Sequence, residues 1–345
     1  MSMHSEILEQ PRRLEALLRT QRSHVQQIAG IIRQHSIRFI FLAARGTSDN
    51  AGRYANYLWG ARNGLPMALA TPSLFTYYQQ PPVLNGALVV AISQSGKSPD
   101  VISVLEEGKR QGCLTLAITN SPESPLAQAA DIVLDIMAGK EAAVAATKTY
   151  TAELMAVAML SASLQESESA WQELEAISGW ASQVLALDES IASLAQRYCY
   201  MQRCVVLGRG FNYATAFEWA LKLKEMTYVA AEPYSTADFL HGPIAIVEHG
   251  FPILAVAAQG KVFPSMLEVL EMVRRERGAE LLVISDSEVA LRLAQSPIPL
   301  PGGIPEWLSP LISILPGQLF SYHLTLVKGY DPQAPRSLNK VTQTH

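Results

Sequence analysis

The same order of apolar and helical segments occurs twice along the chain. The segment FIFLAARGTSDNAGRYANYLWG at 39–60 matches CVVLGRGFNYATAFEWALKLKE at 204–225 in pattern, and further matching segments follow each of them in the same order. The offset between matching segments stays at about 165 residues, which is too long for a solenoid repeat. The duplication therefore indicates two similar domains in tandem, and 345 residues are enough for two domains of roughly 150 residues each.

The apolar segments at corresponding places in the two halves are short and continuous rather than alternating. Continuous apolar strands are buried on both faces, which is typical of parallel sheets built from βαβ units. Most of these segments are followed by Gly, Ser or Thr and then by a helical stretch. The sequence therefore predicts the α/β class, with strands at 39–42, 87–92, 114–118, 132–134, 204–207, 252–256 and 281–284.

The composition excludes several functional classes. The net charge is −4 and only 17% of the residues are charged, so neither a nucleic acid nor a membrane surface is expected as a partner. No apolar run reaches the roughly 18 residues of a transmembrane helix, and the polar N-terminus does not resemble a signal peptide. We therefore expect a cytoplasmic protein. Its cysteines, Cys113, Cys199 and Cys204, lack metal-ligand spacing and are predicted to be reduced thiols.

Changes in composition divide the sequence into five predicted segments. An amphipathic helical segment is predicted at 1–36, a first domain at 37–165 and a polar helical linker at 166–198. A second domain follows at 199–330, and an irregular tail occupies 331–345. Candidate functional residues occur in both predicted domains and in the tail.

The loop after one strand differs between the two halves. It reads SQSGKS at 93–98 in the first half and AAQGKV at 257–262 in the second. A helix N-terminus that follows a parallel strand suits an anion, and Ser93, Ser95 and Ser98 add hydroxyl donors. We interpret this loop as a phosphate site, although a serine-rich helix cap would also account for these residues.

A second polar turn, Gly46-Thr47-Ser48, follows the first predicted strand. By itself this turn is an ordinary helix cap. Together with the loop at 93–98 it would enclose a small phosphorylated ligand at one edge of the sheet. The chain has no GxxxxGK[ST] motif, so a nucleoside triphosphate is not expected.

Charged residues share one stripe of a predicted helix in the second half: Glu218, Lys222 and Glu225. They could form a solvated face with ion pairs, or a carboxylate base held by a lysine. His241 lies directly before Gly-Pro, in a loop or at a helix end, and imidazole is the natural acid–base group near pH 7. The other histidines are expected at the surface.

Five linked motifs resemble the paired sugar-isomerase (SIS) domains of glucosamine-6-phosphate synthase. They are, in order, SQSGKSPD, AATKTYTAEL, EWALKLKE, AEPYSTADFLHGP and PRSLNK, and the resemblance runs from about 37 to 342. It implies that each half is a five-stranded parallel sheet flanked by helices, a three-layer αβα arrangement like that of flavodoxin or Rossmann folds. It also implies a hexose 6-phosphate as ligand.

The resemblance assigns roles to individual residues. Glu225 matches the base that moves a proton between C1 and C2 of the sugar, and Glu218 and Lys222 match its supporting network. His241 matches the residue assigned to ring opening, which the neighbouring subunit supplies in that family, and Lys340 matches a lysine that forms a Schiff base with the ketose. The positions matching phosphate-binding or sugar-contacting residues are Ser48, Ser93, Gln94, Ser95, Ser98 and Val144.

Two departures from the family pattern affect the functional hypothesis. Ala146 replaces a serine that touches the sugar, and the glutaminase domain with its N-terminal cysteine is expected to be missing. We therefore expect a glutamine-independent enzyme without cofactor or metal that converts glucosamine 6-phosphate to fructose 6-phosphate and ammonia. The alternatives are an aldose–ketose phosphosugar isomerase, a fructosamine-phosphate deglycase, or a non-catalytic regulator that binds a sugar phosphate.

The expected partner is a second copy of the chain. Low charge for this length suggests an apolar surface that needs cover, and AAEPYSTADF before His241 contains small and aromatic residues typical of interfaces. With the role that the resemblance gives His241, the sequence predicts a homodimer in which each active site takes this histidine from the neighbouring subunit.

Overall fold

A computed structural model describes residues 2–340 of the chain. These residues form two compact units, each built around one sheet. The first-sheet unit comprises Arg12–Glu141, Ala146–Ala176 and, of the tail, residues 339–340. The second-sheet unit comprises residues 2–11, Ala142–Ala145 and Ile177–Leu338. The last five residues of the predicted tail lie outside the described part of the chain.

The first half of the chain contains the following elements: α1 (Met3–Leu8), α2 (Gln10–Gln34), β1 (Phe39–Ala43), α3 (Gly46–Asn63), β2 (Met67–Leu69), α4 (Ser73–Thr76), β3 (Ala87–Ile92), α5 (Pro99–Arg110), β4 (Leu114–Thr119), α6 (Pro125–Ala129), β5 (Ile132–Asp135) and α7 (Lys148–Leu164). Of these, α1 belongs to the second-sheet unit.

Three helices, α8 (Glu168–Glu175), α9 (Ile177–Leu185) and α10 (Asp188–Gln196), precede the second sheet. The remaining elements are β6 (Arg203–Gly208), a 3-10 turn at Gly210–Asn212, α11 (Tyr213–Lys222), a π-helical turn at Leu223–Thr227, β7 (Ala230–Ser235), α12 (Thr236–Leu240), a 3-10 turn at Pro243–Ile246, β8 (Pro252–Val256), α13 (Phe263–Arg277), β9 (Glu280–Ser285), α14 (Glu288–Leu293), β10 (Ser296–Pro299), a 3-10 turn at Glu306–Leu308 and α15 (Ser309–Val327).

Both sheets have five parallel strands and the same topology. The first has the order β2-β1-β3-β4-β5, and the second has the order β7-β6-β8-β9-β10 when read in the same direction. Phe39 of β1 is in register with Ala87 of β3, and Val205 of β6 is in register with Ile253 of β8. The predicted α/β class, the duplication and the two five-stranded sheets are confirmed.

The central strands lie where the continuous apolar segments predict them. All six residues of β3 and all five of β8 are buried, as expected for strands covered on both faces. Three strands were missed: β2, β7 and β10, each at an edge of its sheet. They are short or contain proline, which a sheet tolerates at its edge because the lost N–H faces away from the ladder.

The interface-like segment AAEPYSTADF is divided between two elements. Its first part forms the edge strand β7, paired in parallel with β6, and its second part forms α12. The small and aromatic residues of this segment therefore belong to an edge strand and a helix of their own chain.

Each unit has its own apolar core. In the first-sheet unit, Val89 and Ala91 of β3 pack with Val101 and Val104 of α5. In the second-sheet unit, β8 packs in the same way against α13. Within residues 2–340, no helix combines the length and the apolar composition that crossing a membrane requires. The domain boundaries inferred from composition stay a prediction.

The end of β6 depends on a glycine. A Cβ atom on Gly208 would lie 2.1 Å from the carbonyl oxygen of Asn212, which is backbone and cannot move aside. Gly179, within α9, has open space around its Cβ position. We predict that Gly208→Ala lowers the free energy of unfolding by about 1–3 kcal/mol through overpacking. The control Gly179→Ala should raise it by roughly 0.5–1 kcal/mol, because alanine favours a helix over glycine. Urea unfolding of both variants measures the difference, and equal effects would contradict the proposed backbone contact.

Candidate active site

The strand order of the first sheet creates a crevice at its carboxyl edge. In a parallel sheet of order 2-1-3-4-5, the direction in which successive strands are added reverses between the first and third strands, and ligands bind outside the carboxyl ends of these strands. Here the two strands are β1 and β3. The loops that follow them are the Gly46 loop (residues 44–50) and the Ser93 loop (residues 93–98). The two turns singled out by sequence therefore lie at one sheet edge.

The Ser93 loop has a fixed, tight conformation. The hydroxyl of buried Ser93 accepts a hydrogen bond from the N–H of Gly96 at 3.2 Å. Gly96 has a φ of +62°, and a Cβ there would lie 2.0 Å from the hydroxyl oxygen of Ser124. The carbonyl of Gln94 accepts the N–H of Asn120 at 3.2 Å. Only glycine therefore fits at position 96, and the hydrogen bonds to Ser93 and from Asn120 hold the backbone of the loop in place.

The other two serines of this loop are available for a ligand. Ser95 and Ser98 are half-buried, and within residues 2–340 their hydroxyls form no hydrogen bond with another side chain. Ser98 is the N-cap of α5 but its side chain does not bond to the helix. Two free hydroxyls beside a helix N-terminus suit an anion such as a phosphate.

An ion pair joins the two loops. The Nε of Arg45 lies 2.7 Å from a carboxylate oxygen of Asp100, in the first turn of α5. The Asp100 side chain is 1% exposed and that of Arg45 is 49% exposed. The pair therefore anchors the Gly46 loop to α5 while the arginine remains accessible at the sheet edge. Sequence reasoning missed both residues, because nothing in the spacing of 45 and 100 signals a contact.

The Gly46 loop is less open than the sequence suggests. Gly46 begins α3 with a φ of +55°, and Thr47 is half-buried. Ser48 is buried, and its hydroxyl donates to Oε1 of Glu153 at 2.8 Å while its N–H donates to the carbonyl of Arg45. Both donors of Ser48 are thus engaged, so the hydroxyl would have to turn away from Glu153 to reach a phosphate.

Lys340 pairs with a buried acid that the sequence analysis did not single out. Its ammonium lies 2.8 Å from Oε2 of Glu141, whose side chain is completely buried. Glu141 also accepts the N–H of Thr147 at 2.9 Å and the hydroxyl of Thr149 at 2.8 Å. Burial raises the pKa of Glu141, but the charge of Lys340 and these hydrogen bonds outweigh it and hold the pKa below its usual range.

A cluster of charged residues, the acid–lysine cluster of Glu218, Lys222 and Glu225, lies at the end of α11. The Nζ of Lys222 lies 3.4 Å from Oε1 of Glu218 and 2.5 Å from Oε2 of Glu225. Glu218 and Lys222 have completely buried side chains, whereas Glu225 is 22% exposed. The interpretation as a solvated face is therefore wrong for Glu218 and Lys222. One buried cation between two carboxylates leaves Glu225 as the acid that solvent can reach.

A π-helical turn places Glu225. Helix α11 ends at Lys222, and Leu223–Thr227 continues as a π-helical turn. Such turns are rare and occur frequently at functional sites. Tyr228, directly after the turn, has a φ of +57°, which is uncommon for a residue with a side chain. The local backbone is therefore irregular where the predicted base lies.

The remaining predicted site residues lie apart from these clusters in the sequence. His241 ends α12 and is exposed, and its N–H donates to the carbonyl of Asp238. Val144 is half-buried in the segment between β5 and α7. The structure thus brings Lys222 to Glu225 and the Ser93 loop to the Gly46 loop. Lys340 meets Glu141, which the sequence analysis missed.

Comparison with known proteins identifies one domain family twice in the chain. The family model for the SIS domain matches residues 35–163 and 200–328. A glutamine–fructose-6-phosphate aminotransferase (isomerizing) from Thermococcus kodakarensis is 34% identical over 347 residues, covering 98% of this chain and 57% of the relative. The chain therefore spans less than three fifths of the length of this curated relative.

Two solved structures have the same fold over nearly the whole chain. The C-terminal domain of glucosamine-fructose-6-phosphate aminotransferase from Francisella tularensis is 30% identical with a TM-score of 0.87, covering 96% of this chain and 98% of that one. A protein provisionally assigned as a phosphosugar isomerase, from Silicibacter pomeroyi, is 32% identical with a TM-score of 0.87, covering 96% and 99%.

The pair of Glu141 and Lys340 makes a pH-dependent contribution to stability. Because the pKa of Glu141 is lowered by folding, the stabilisation is present above the pKa of the unfolded acid and is lost as the pH falls through the folded value. We predict that Lys340→Met costs up to about 3 kcal/mol at pH 7, since it leaves a buried carboxylate without its counter-charge. The cost should shrink below the unfolded pKa of Glu141.

The matched control for this variant is Lys140→Met, which removes an exposed ammonium directly beside Glu141 in sequence. Urea unfolding at several pH values measures both variants. A loss in Lys340→Met that does not change with pH, or an equal loss in Lys140→Met, would mean that the pair is not the cause.

Proposed function

This chain belongs to the SIS-domain family, and from that premise we propose that it is a phosphosugar isomerase acting on an aminosugar, with glucosamine 6-phosphate as substrate. The products would be fructose 6-phosphate and ammonia. The family assignment rests on the two matched domains and on relatives at least 30% identical over nearly the whole chain. It bears out the resemblance seen in the sequence. The observation that carries the proposed reaction is the acid–lysine cluster, because proton transfer between C1 and C2 needs one accessible carboxylate.

Glu225 is proposed as the proton-transfer base. In the open-chain aminosugar it would remove the proton from C2, and the protonated carboxyl, which can exchange with solvent because it is 22% exposed, would deliver a proton to C1. This converts the C1 aldehyde and C2 amine into a C1 alcohol and a C2 imine. Addition of water to the imine then releases ammonia and leaves the ketose. Glu225 suits this role because it is the exposed member of the cluster and lies 2.5 Å from the Lys222 ammonium.

His241 and Lys340 are proposed for the steps around the proton transfer. An exposed imidazole can accept and donate the protons that open the sugar ring. Lys340 could hold the ketose as an imine or supply positive charge. Its ammonium pairs with Glu141 at 2.8 Å, so imine formation would first require that pair to break and the amine to lose a proton. The pair therefore supports the charge role in the ligand-free protein.

The direct test is an assay of the purified chain with glucosamine 6-phosphate. Equal amounts of ammonia and fructose 6-phosphate would support the proposal. A parallel reaction with fructose 6-phosphate and glutamine tests the expected glutamine independence and should give no glucosamine 6-phosphate. Interconversion of an aldose and a ketose phosphate without ammonia would instead identify a plain isomerase. Binding without turnover of any sugar phosphate would favour the regulator.

A substitution at the base tests the mechanism. Glu225→Gln removes the proton acceptor but keeps the size of the side chain, so we predict normal folding, normal binding of sugar phosphate and a loss of activity of at least 100-fold. The variant should not exchange solvent deuterium into C1 of the product. Glu271→Gln, an exposed acid on α13, is the matched control and should behave as the unchanged protein. Full exchange of solvent deuterium in Glu225→Gln would show that another residue is the base.

The Ser93 loop is proposed to bind the phosphate group, with Gln94 beside the serines. Removing the hydroxyls in Ser93→Ala with Ser95→Ala should raise KM strongly, because each charge-assisted hydrogen bond to the dianion contributes about 1.5–3 kcal/mol. The control is Ser103→Ala in α5, whose hydroxyl bonds to the carbonyl of Asp100 within the helix. The proposal fails if the double variant binds the sugar phosphate as tightly as the control.

We also propose that the chain works as a homodimer in which His241 serves the neighbouring subunit. Leu240 and Ile246, on either side of this histidine in the sequence, are 44% and 42% exposed, and burying them against a second subunit would support this proposal. Mixing Glu225→Gln subunits with His241→Asn subunits would then restore one intact site in each mixed dimer. With random mixing, about a quarter of the activity should return. No recovery in mixed dimers that demonstrably form would show that His241 acts within its own chain.

A further inference from the structure

Three helices of the second-sheet unit bring two histidines to one aspartate. His4 lies on α1, Asp188 begins α10 and His323 lies near the end of α15. The Nε2 of His4 is 2.7 Å from Oδ2 of Asp188, and the Nε2 of His323 is 2.6 Å from Oδ1 of the same carboxylate. These residues are called here the His–Asp–His cluster. The sequence predicts these two histidines at the surface, and the structure places both of them half-buried.

The cluster is held in place by its surroundings. The side chains of His4, Asp188 and His323 are 30%, 22% and 14% exposed. The ring of Tyr322 stacks on the ring of His4 with centroids 4.9 Å apart and an interplanar angle of 12°. Helices α1 and α10 both pack against α15. The packing of these three helices therefore fixes both imidazoles against the carboxylate.

The ion-pair partners of Asp188 are two histidines. Within residues 2–340, its carboxylate pairs with the two imidazoles and with no lysine or arginine. Both histidines direct Nε2 at the carboxylate, one to each oxygen. Two imidazole nitrogens and one carboxylate oxygen are a donor set that suits Zn²⁺.

The geometry is compatible with one metal ion. The three ligand atoms all lie within 4.8 Å of one another. In a tetrahedral zinc site with Zn–N distances of about 2.0–2.1 Å, the ligand atoms lie roughly 3.3 Å apart. The present N–O separations would thus need to lengthen by less than about 1 Å, which small rotations of the side chains can provide. A fourth position would remain for water.

We infer that the His–Asp–His cluster is a binding site for a divalent transition-metal ion, with Zn²⁺ as the ion its donors fit. The helices that carry this cluster contain no residue of the acid–lysine cluster or of the Ser93 loop. A bound ion would join α1 to α10 and α15 and so fix the N-terminal helix to the second-sheet unit. Its role is structural, and the inference is independent of the proposed reaction.

Zn²⁺ binding to the chelator-treated full chain, followed by titration calorimetry, tests this inference. We expect one tight site per chain, and Zn²⁺ should raise the melting temperature because it binds the folded state alone. His323→Gln and Asp188→Asn should each weaken binding at least tenfold, since changes even to residues around metal ligands cost 10–100-fold. The controls are His249→Gln, an exposed histidine of the same unit, and Cys199→Ser, an exposed thiol. Neither control should change the affinity.

Two results would overturn the inference. One is the absence of Zn²⁺ binding to the unchanged protein at micromolar concentrations, which would leave the cluster as a hydrogen-bonded triad. The other is binding that persists with the same affinity in the ligand variants, which would place the ion elsewhere. Circular dichroism checks that each variant folds. If His323→Gln or Asp188→Asn does not fold, His4→Gln on the short helix α1 decides the question by the same tenfold criterion.

Discussion

Parallel pairing of strands buried on both faces determines where chemistry can occur in this protein. Such strands need a helix after each of them, so the polar loops collect at the carboxyl edge of the sheet. In the first sheet the order reverses between β1 and β3, and the Gly46 and Ser93 loops therefore share one crevice. The Arg45–Asp100 pair anchors the Gly46 loop to α5, the helix that follows the Ser93 loop. The candidate phosphate site thus follows from the topology together with one ion pair.

Buried charges are the second feature with functional meaning. Removing a charge from water costs several kcal/mol unless an opposite charge and hydrogen bonds compensate for the lost hydration. Lys222 is completely buried between Glu218 and Glu225, and Glu141 is completely buried against Lys340. In each group one member remains partly exposed, Glu225 in the first and Lys340 in the second. These exposed members are the residues to which the proposed reaction assigns chemistry, while the buried members hold them in place.

The two copies of the fold differ in their loops and helix ends rather than in their sheets. The two sheets have the same strand order, but the loop after β3 contains three serines and the loop after β8 contains alanine, glutamine and valine at the matching positions. The second unit instead has a charged, π-helical end to its α11 helix. Divergence is thus concentrated in loops and helix ends, because changes there leave the apolar strands and their packing intact.

Local sequence patterns are enough to predict the α/β class, the duplication, the central strands and the position of the Ser93 loop, because continuous apolar runs, glycine and helix-cap residues act locally. They also place Glu218, Lys222 and Glu225 on one stripe, since helical spacing is a local property. The edge strands, which have too few apolar residues to stand out, and the burial of that stripe depend on how distant segments pack, so they emerge from the three-dimensional structure. It alone paired Lys340 with Glu141 and His4 with Asp188 and His323. Those contacts join residues that are far apart in sequence, and their energy comes from burial and electrostatics that no local pattern encodes.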